Sequence, residues 1–147
     1  MQKISDDPSA GFILKNSFRP IMKKIIHTSK SPQAIGPYSQ AVAINNFLYV
    51  SGQVPVNPEN GEVVAGGTAE QAHQVMKNLE AILEEAGVNF SNVVKATIFV
   101  QDLNDFTVVN EIYASYFTDK NYPARECVEV ARLPRDVRVE ISMIAYL

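Results

Sequence analysis

Arginine is unevenly placed in this chain. Apart from Arg19, every arginine lies near the C-terminus, at Arg125, Arg132, Arg135 and Arg138, while lysine supplies the positive charge elsewhere. Arginine differs from lysine in presenting a planar fork that fits a carboxylate bidentately. The same stretch holds Glu129, Glu140 and the single cysteine, Cys127. Two readings are open from residue types and spacing. One is a solvated sheet face with cross-strand charge pairs, the usual fate of such residues. The other is a site in which arginine grips an anion and glutamate moves protons. Cys127 is a tempting nucleophile, but no histidine is expected beside it, and a free cysteine is commonly a small buried hydrophobe. His27 and His73 stand far apart and carry no metal-ligand spacing.

These residues need elements to position them. Ala41 to Ser51 reads as a hairpin turning at Asn45-Asn46, and Asn57 to Gly61 as a further turn. Thr68 opens a helix, with Gln71 at capping-box spacing. Ala72, Val75, Met76, Leu79, Ile82, Leu83 and Ala86 then form one apolar stripe, and Gly87 suits the C′ position. His73 falls outside that stripe. Val93 to Val100 is a mostly buried strand. Asn104 or Asp105 caps a second helix, whose apolar residues include Phe106, Val109, Ile112, Tyr113, Tyr116 and Phe117.

Two last strands, about 125–132 and 137–145, are expected to pair as a hairpin across Leu133 to Asp136. Side-chain alternation then puts Val128, Val130, Val139, Ile141 and Met143 under the helices. The other face would collect Arg125, Cys127, Glu129, Arg138, Glu140 and Ser142, with Glu129 opposite Glu140, Cys127 opposite Ser142 and Arg125 opposite Ile144. The order of elements predicts an α+β sheet with both helices on one face.

Composition narrows the function classes. The 147 residues suit one domain, and 46% apolar with 20% charged is an ordinary globular balance. A formal charge of −3 argues against a broad grip on nucleic acid. One cysteine excludes an intramolecular disulfide framework and any multi-cysteine metal site. No apolar run approaches transmembrane length. Residues 1–21 differ in character from the rest of the chain and read as an extension. Organellar targeting by this segment is a minor reading, since Asp6 and Asp7 suit a transit peptide poorly. Residues 22–147 carry ten basic and fourteen acidic groups, so the acidity deepens without the extension.

Several motifs resemble one family. Ile35 to Gln40 (IGPYSQ), Ser51 to Pro55 (SGQVP), Lys95 to Asn110 (KATIFVQDLNDFTVVN) and Pro123 to Pro134 (PARECVEVARLP) resemble the Rid (reactive intermediate deaminase) family, especially its RidA subgroup. The likeness covers residues 22–147. It implies a chorismate-mutase-like α+β fold, a homotrimeric barrel, and active sites at subunit interfaces. It implies hydrolysis of 2-imino acids, such as 2-iminopropanoate and 2-iminobutanoate, to 2-oxo acids and ammonia, in the cytoplasm, without metal or organic cofactor. By position it makes Arg125 the carboxylate ligand and Glu140 the group that activates water. Tyr38, Ser51, Asn110 and Cys127 would line the pocket. The chain departs from many relatives at Glu126, where a small residue is common, at Ser142, where a glutamate is common, and at Tyr122, where Phe is common. Alternation points Glu126 away from Arg125. The rival readings are a small-ligand-binding regulatory module without turnover, and a ribonuclease or translation inhibitor.

The implied chemistry suits these residue types. An imino acid carries a carboxylate beside C=N, so one arginine can fix the carbon to be attacked. One carboxyl that exchanges a proton with water and then with the leaving nitrogen suffices. Such imines hydrolyse in water unaided, so a modest share of the usual transition-state stabilisation is enough.

Overall fold

The computed structural model describes residues 22–147; the extension 1–21 lies outside the described residues. The elements are β1 (Lys24–Ile26), β2 (Ala41–Ile44), β3 (Phe47–Gln53), α1 (Thr68–Glu85), β4 (Val93–Val100), α2 (Phe106–Ser115), β5 (Ala124–Glu129) and β6 (Val139–Tyr146). The strands form one open mixed sheet in the order β1-β2-β3-β6-β4-β5. Among the described residues it does not close into a barrel. Both helices cover one face, and the core lies between, built from Val75, Met76, Leu79, Ile82 and Leu83 of α1 against Leu48, Ile98, Ile141 and Val139 of the sheet.

Local chemistry explains most elements. β2 and β3 pair with Ile44 opposite Phe47, so Asn45-Asn46 is the turn, and Asn45 takes the left-handed conformation (φ 51°) that asparagine tolerates. The turn at 57–61 closes through Gly61 N–H to the Asn57 carbonyl (2.9 Å), with Gly61 at φ 74°. The predicted stripe of α1 is buried from Ala72 to Leu83, Ala86 is partly buried at the C-cap, and Gly87 at φ 81° ends the helix, its N–H reaching the Glu84 carbonyl and that of Val88 reaching Leu83.

The caps differ from expectation. Gly67, not Thr68, is the N-cap of α1, and Glu70, not Gln71, reaches back to its N–H (2.8 Å). Thr68 Oγ1 instead donates to Asp105 Oδ2 (2.6 Å), and Gln71 Oε1 accepts from the Arg138 N–H (2.8 Å). Asp105 holds the N-cap position of α2 but makes no cap bond. Asp102 caps the short turn before it, accepting from the Asn104 N–H (2.8 Å). These side chains tie the two helix starts and β6 together, a tertiary use that outranks local capping.

The largest correction concerns the last two strands. β5 and β6 run in opposite directions as predicted, but β4 lies between them, parallel to β5 and antiparallel to β6. A parallel pair needs a crossover, and α2 supplies it. The segment after β5 crosses the end of β4, where Gln101 N–H donates to the Arg138 carbonyl and Val130 N–H to Val100. Arg135 and Asp136 (φ 59° and 57°) make that bend.

This insertion inverts the faces of β5. Arg125 is level with Ala96 and Met143, and Cys127 with Ile98 and Ile141. Arg125 and Cys127 therefore lie on the helix side, while Glu140 and Ser142 lie on the open side. The predicted pairs of Glu129 with Glu140, Cys127 with Ser142 and Arg125 with Ile144 do not form. Val139, Ile141 and Met143 are buried as expected, but Val128 points to the open face and is 40% exposed. A one-residue slip in register swaps every side chain of a strand between faces, and the assumed hairpin imposed such a slip.

Candidate functional site

Arg125 sits on β5, an edge strand, where the helical cover thins. Its Nη1 donates to Asn110 Oδ1 of α2 (2.8 Å). Its Cζ lies over the ring of Tyr113 at 5.0 Å and over that of Phe106 at 5.8 Å. Positions 106, 110 and 113 recur on one face of a helix, so a single face of α2 holds the guanidinium. Among the described residues Arg125 makes no salt bridge, which removes the ion-pair reading that competes with an anion-binding role. The other described arginines are engaged. Arg132 pairs with Asp136 (2.6 Å), Arg138 approaches Asp105 (3.8 Å), and Arg135 donates to the Gly61 carbonyl (2.9 Å) and approaches the Glu62 carboxylate (4.0 Å). The C-terminal arginines are thus not one cluster: Arg125 is the one held without a carboxylate.

A cleft of about 510 Å³ opens beside Arg125, lined by Asn110, Tyr113, Ala114, Tyr122 and Pro123. Cys127 lies two residues along the same face of β5. Burial pushes its thiol up, with the Arg125 charge opposing. The two histidines are committed elsewhere, His27 to Gln33 and His73 to the Tyr116 hydroxyl (3.2 Å). Cys127 thus lacks a histidine base among the described residues, and it is not among the residues that line that cleft. Burial likewise pushes Tyr113 up to about 12, so its hydroxyl stays protonated.

Glu140 occupies the other face. It is level with Phe99 of β4, and burial raises its carboxyl above the ordinary glutamate value. Its seat is made by Gly52. A Cβ at that position would overlap Glu140 Oε1 and sit 2.9 Å from its Cδ. The pairing of β3 with β6 is regular to Val50 opposite Met143, then shifts to Gln53 opposite Ile141, so Ser51 and Gly52 form a bulge beside Glu140. Ser51 Oγ donates to the Ser39 carbonyl (2.6 Å), and Ser51 N–H to that of Gln40 (3.0 Å).

A buried amide network steadies the loop before β2. Gln40 accepts from the Thr28 N–H (2.8 Å) and donates to the Thr28, Ser31 and Pro32 carbonyls, while Ser31 Oγ donates to Gln53 (3.1 Å). Tyr38 projects from that loop, 52% exposed, and lines a smaller cleft of about 210 Å³ with Pro32, Val54 and Arg135. Glu126, on the open face, pairs with Lys95 and accepts from Thr97 (2.6 Å), so it does point away from Arg125.

One chain therefore gathers Arg125, Asn110 and Cys127 in one place, Glu140 and Ser51 around Gly52 in a second, and Tyr38 in a third. Sequence reading passed over Gly52, Gln40 and Gln53 as functional supports, although all three fall in the motifs that carry the resemblance. Phe106 and Tyr113 stand in the sequence only as apolar residues of the second helix. The signal was their spacing with Asn110, legible only once Arg125 is known to face α2.

Comparisons with known proteins agree on one family. A family profile described as Endoribonuclease L-PSP matches residues 28–147. The chain is 53% identical over 126 residues to the 2-iminobutanoate/2-iminopropanoate deaminase of Escherichia coli K12, covering 84% of this chain and 98% of that protein. It is 49% identical over 125 residues to the human protein of the same name, covering 85% and 90%. Among solved structures, a Rid-family protein of Yersinia pestis superposes with a TM-score of 0.84 at 46% identity, covering 86% of this chain and all of that one (100%). Escherichia coli TdcF with bound serine gives 0.80 at 44% identity, covering 84% and 98%.

Proposed function

The chain belongs to the Endoribonuclease L-PSP family, the group that includes the RutC and Rid proteins, and from that premise we propose that it hydrolyses 2-imino acids to 2-oxo acids and ammonia. The observation that carries the reading is Arg125, held by Asn110 and two aromatic rings with no carboxylate partner among the described residues, beside an open cleft. The names of the bacterial and human relatives supply the reaction, and the serine bound to TdcF is a small carboxylate of the right size.

The step balances with one proton carrier. The fork of Arg125 holds the substrate carboxylate and fixes the imine carbon. Ionised Glu140 takes a proton from water as the C–O bond forms and the C=N electrons pass to nitrogen. Protonated Glu140 gives that proton to the nitrogen, making the carbinolamine; the same carboxylate then takes the hydroxyl proton and passes it to nitrogen as the carbonyl forms, the C–N bond breaks and ammonia leaves. Tyr38, Ser51, Asn110 and Cys127 shape the pocket.

Arg125 and Glu140 lie on opposite faces of one sheet, so the site we propose is shared between copies in a homotrimer. The open face supports this. Ile25, Val42, Tyr49 and Ile144 form one apolar row across β1, β2, β3 and β6, with Ile25 59% and Tyr49 47% exposed. Such a face calls for cover, and a cyclic arrangement gives every copy the same neighbour. The solution mass is therefore expected to be three times the 16.3 kDa of one chain. Light scattering that finds a monomer at micromolar concentration contradicts the shared site.

Gly52→Ala provides a second test. The backbone at 52 accepts alanine, but the new Cβ takes the space of the Glu140 carboxylate. Displacing a general base is expected to lower kcat at least roughly tenfold. Thermal stability should change little, because the displaced group is a side-chain end.

The family description also carries a ribonuclease reading. The fourteen acidic against ten basic groups of residues 22–147 weigh against it. RNA cleavage that co-purifies with the protein and disappears in Arg125→Ala would restore it.

A further inference from the structure

We propose that Phe106 and Tyr113 are positioning residues that clamp Arg125 for carboxylate recognition, holding the guanidinium against their ring faces so that its charge stays unspent. The proposal deepens the reading of Arg125 as the carboxylate ligand and rests on it. An anion-binding arginine has two needs that conflict. It must be held still, because a long side chain loses rotamer freedom when it binds. It must also remain free of an internal carboxylate, which would compete with the ligand. Surface arginines of this chain show the usual compromise: Arg132 is held by Asp136 and Arg138 by Asp105. Arg125 is held otherwise. Its Cζ lies 5.0 Å from the Tyr113 ring centre and 5.8 Å from that of Phe106, and Asn110, a neutral acceptor, takes one N–H at 2.8 Å.

Each contact restrains the group without neutralising it. Aromatic faces attract a cation through their quadrupole and leave its N–H edge uncovered. Asn110 uses Nη1, which leaves Nε and Nη2 to meet a planar carboxylate bidentately. Tyr113 is itself buried, 3% exposed and packed on Phe117 at 4.8 Å between ring centres. Its hydroxyl has no hydrogen-bond partner among the described residues, so the ring is what the position uses. The whole clamp sits on one face of α2, at 106, 110 and 113, and a rigid helix therefore sets the angle of the arginine.

The test reads the clamp separately from the reaction. In Phe106→Leu and Tyr113→Leu the KM for imine is expected to rise roughly tenfold each, with kcat within about twofold. Tyr113→Phe, which keeps the ring and loses a hydroxyl without a hydrogen-bond partner among the described residues, recovers the loss of Tyr113→Leu. Phe106 is 38% exposed, so its replacement keeps the test alive where Tyr113→Leu fails to fold. The second readout is the guanidinium NMR spectrum of Arg125. Restricted rotation separates its Hη signals in the wild type and Tyr113→Phe, and they average together in the leucine variants. Leucine variants with wild-type KM and wild-type Arg125 signals overturn the clamp. Wild-type protein without imine hydrolysis, but with Arg125 signals that average on loss of either ring, overturns the reaction and leaves the clamp standing.

Discussion

Arg125→Ala is expected to abolish accelerated imine hydrolysis while leaving the fold and the assembly intact. Among the described residues the guanidinium makes one hydrogen bond, to Asn110, and anchors no ion pair. Its removal therefore leaves no buried partner charge behind, and the structural cost is small. The functional cost is large. Two charge-assisted hydrogen bonds to a carboxylate are each worth roughly 1.5–3 kcal/mol. Their loss predicts a fall in kcat/KM of at least about 100-fold. Arg125→Lys should recover little, since an ammonium offers a point charge in place of a fork and slides off the two rings. Circular dichroism and solution mass check the fold in the same samples. Substantial activity in a folded Arg125→Ala assigns the carboxylate to another residue.

Glu140→Gln is expected to lower kcat by about 100-fold or more, the range for loss of a positioned proton carrier. The amide fills the same space over Gly52 but cannot accept the proton from water. The pH dependence follows from burial. Desolvation raises the folded-state pKa of Glu140 above the ordinary glutamate value. Acting as a base it must be ionised, so the rate falls on acidification with a midpoint above that ordinary value. The stability effect has the opposite sense. A carboxyl whose folded pKa is raised contributes stability that is fully present below its unfolded pKa and is lost as pH rises through the folded one. Glutamine stays neutral throughout. Glu140→Gln should therefore be at least as stable as the wild type at neutral pH while nearly inactive, a pattern expected of a desolvated functional carboxylate. A variant that is both inactive and unfolded points to a structural role instead.

Local signals were legible in the sequence where local physics decides. The α1 stripe, the Gly87 ending, the Asn45-Asn46 turn and the existence of β4, of which only one face is buried, follow from periodicity and backbone chemistry alone. The failures share a cause. Pairing β5 with β6 assumed that sequence neighbours pair, and β4, far back in the chain, took the place between them. That single long-range event moved Arg125 and Cys127 to the helix face. Thr68 and Asp105 failed as caps for a similar reason, since each spends its side chain on the other. The candidate site was read from the resemblance, residue by residue. Its split across two faces was not legible, because the face of an edge strand is fixed by its neighbour. Gly52 was invisible for another reason: its role is the room it leaves for Glu140.

The three functional readings part at one reaction. A regulatory module binds small carboxylates without turning them over, and a ribonuclease acts on RNA. A deaminase removes the imine that a pyridoxal-phosphate dehydratase releases from threonine. The direct measurement is the rate of 2-oxobutanoate formation by a threonine dehydratase with and without the purified protein. Faster release is expected with the wild type, and none of that gain with Arg125→Ala. An unchanged rate with intact, correctly assembled protein contradicts the deaminase reading.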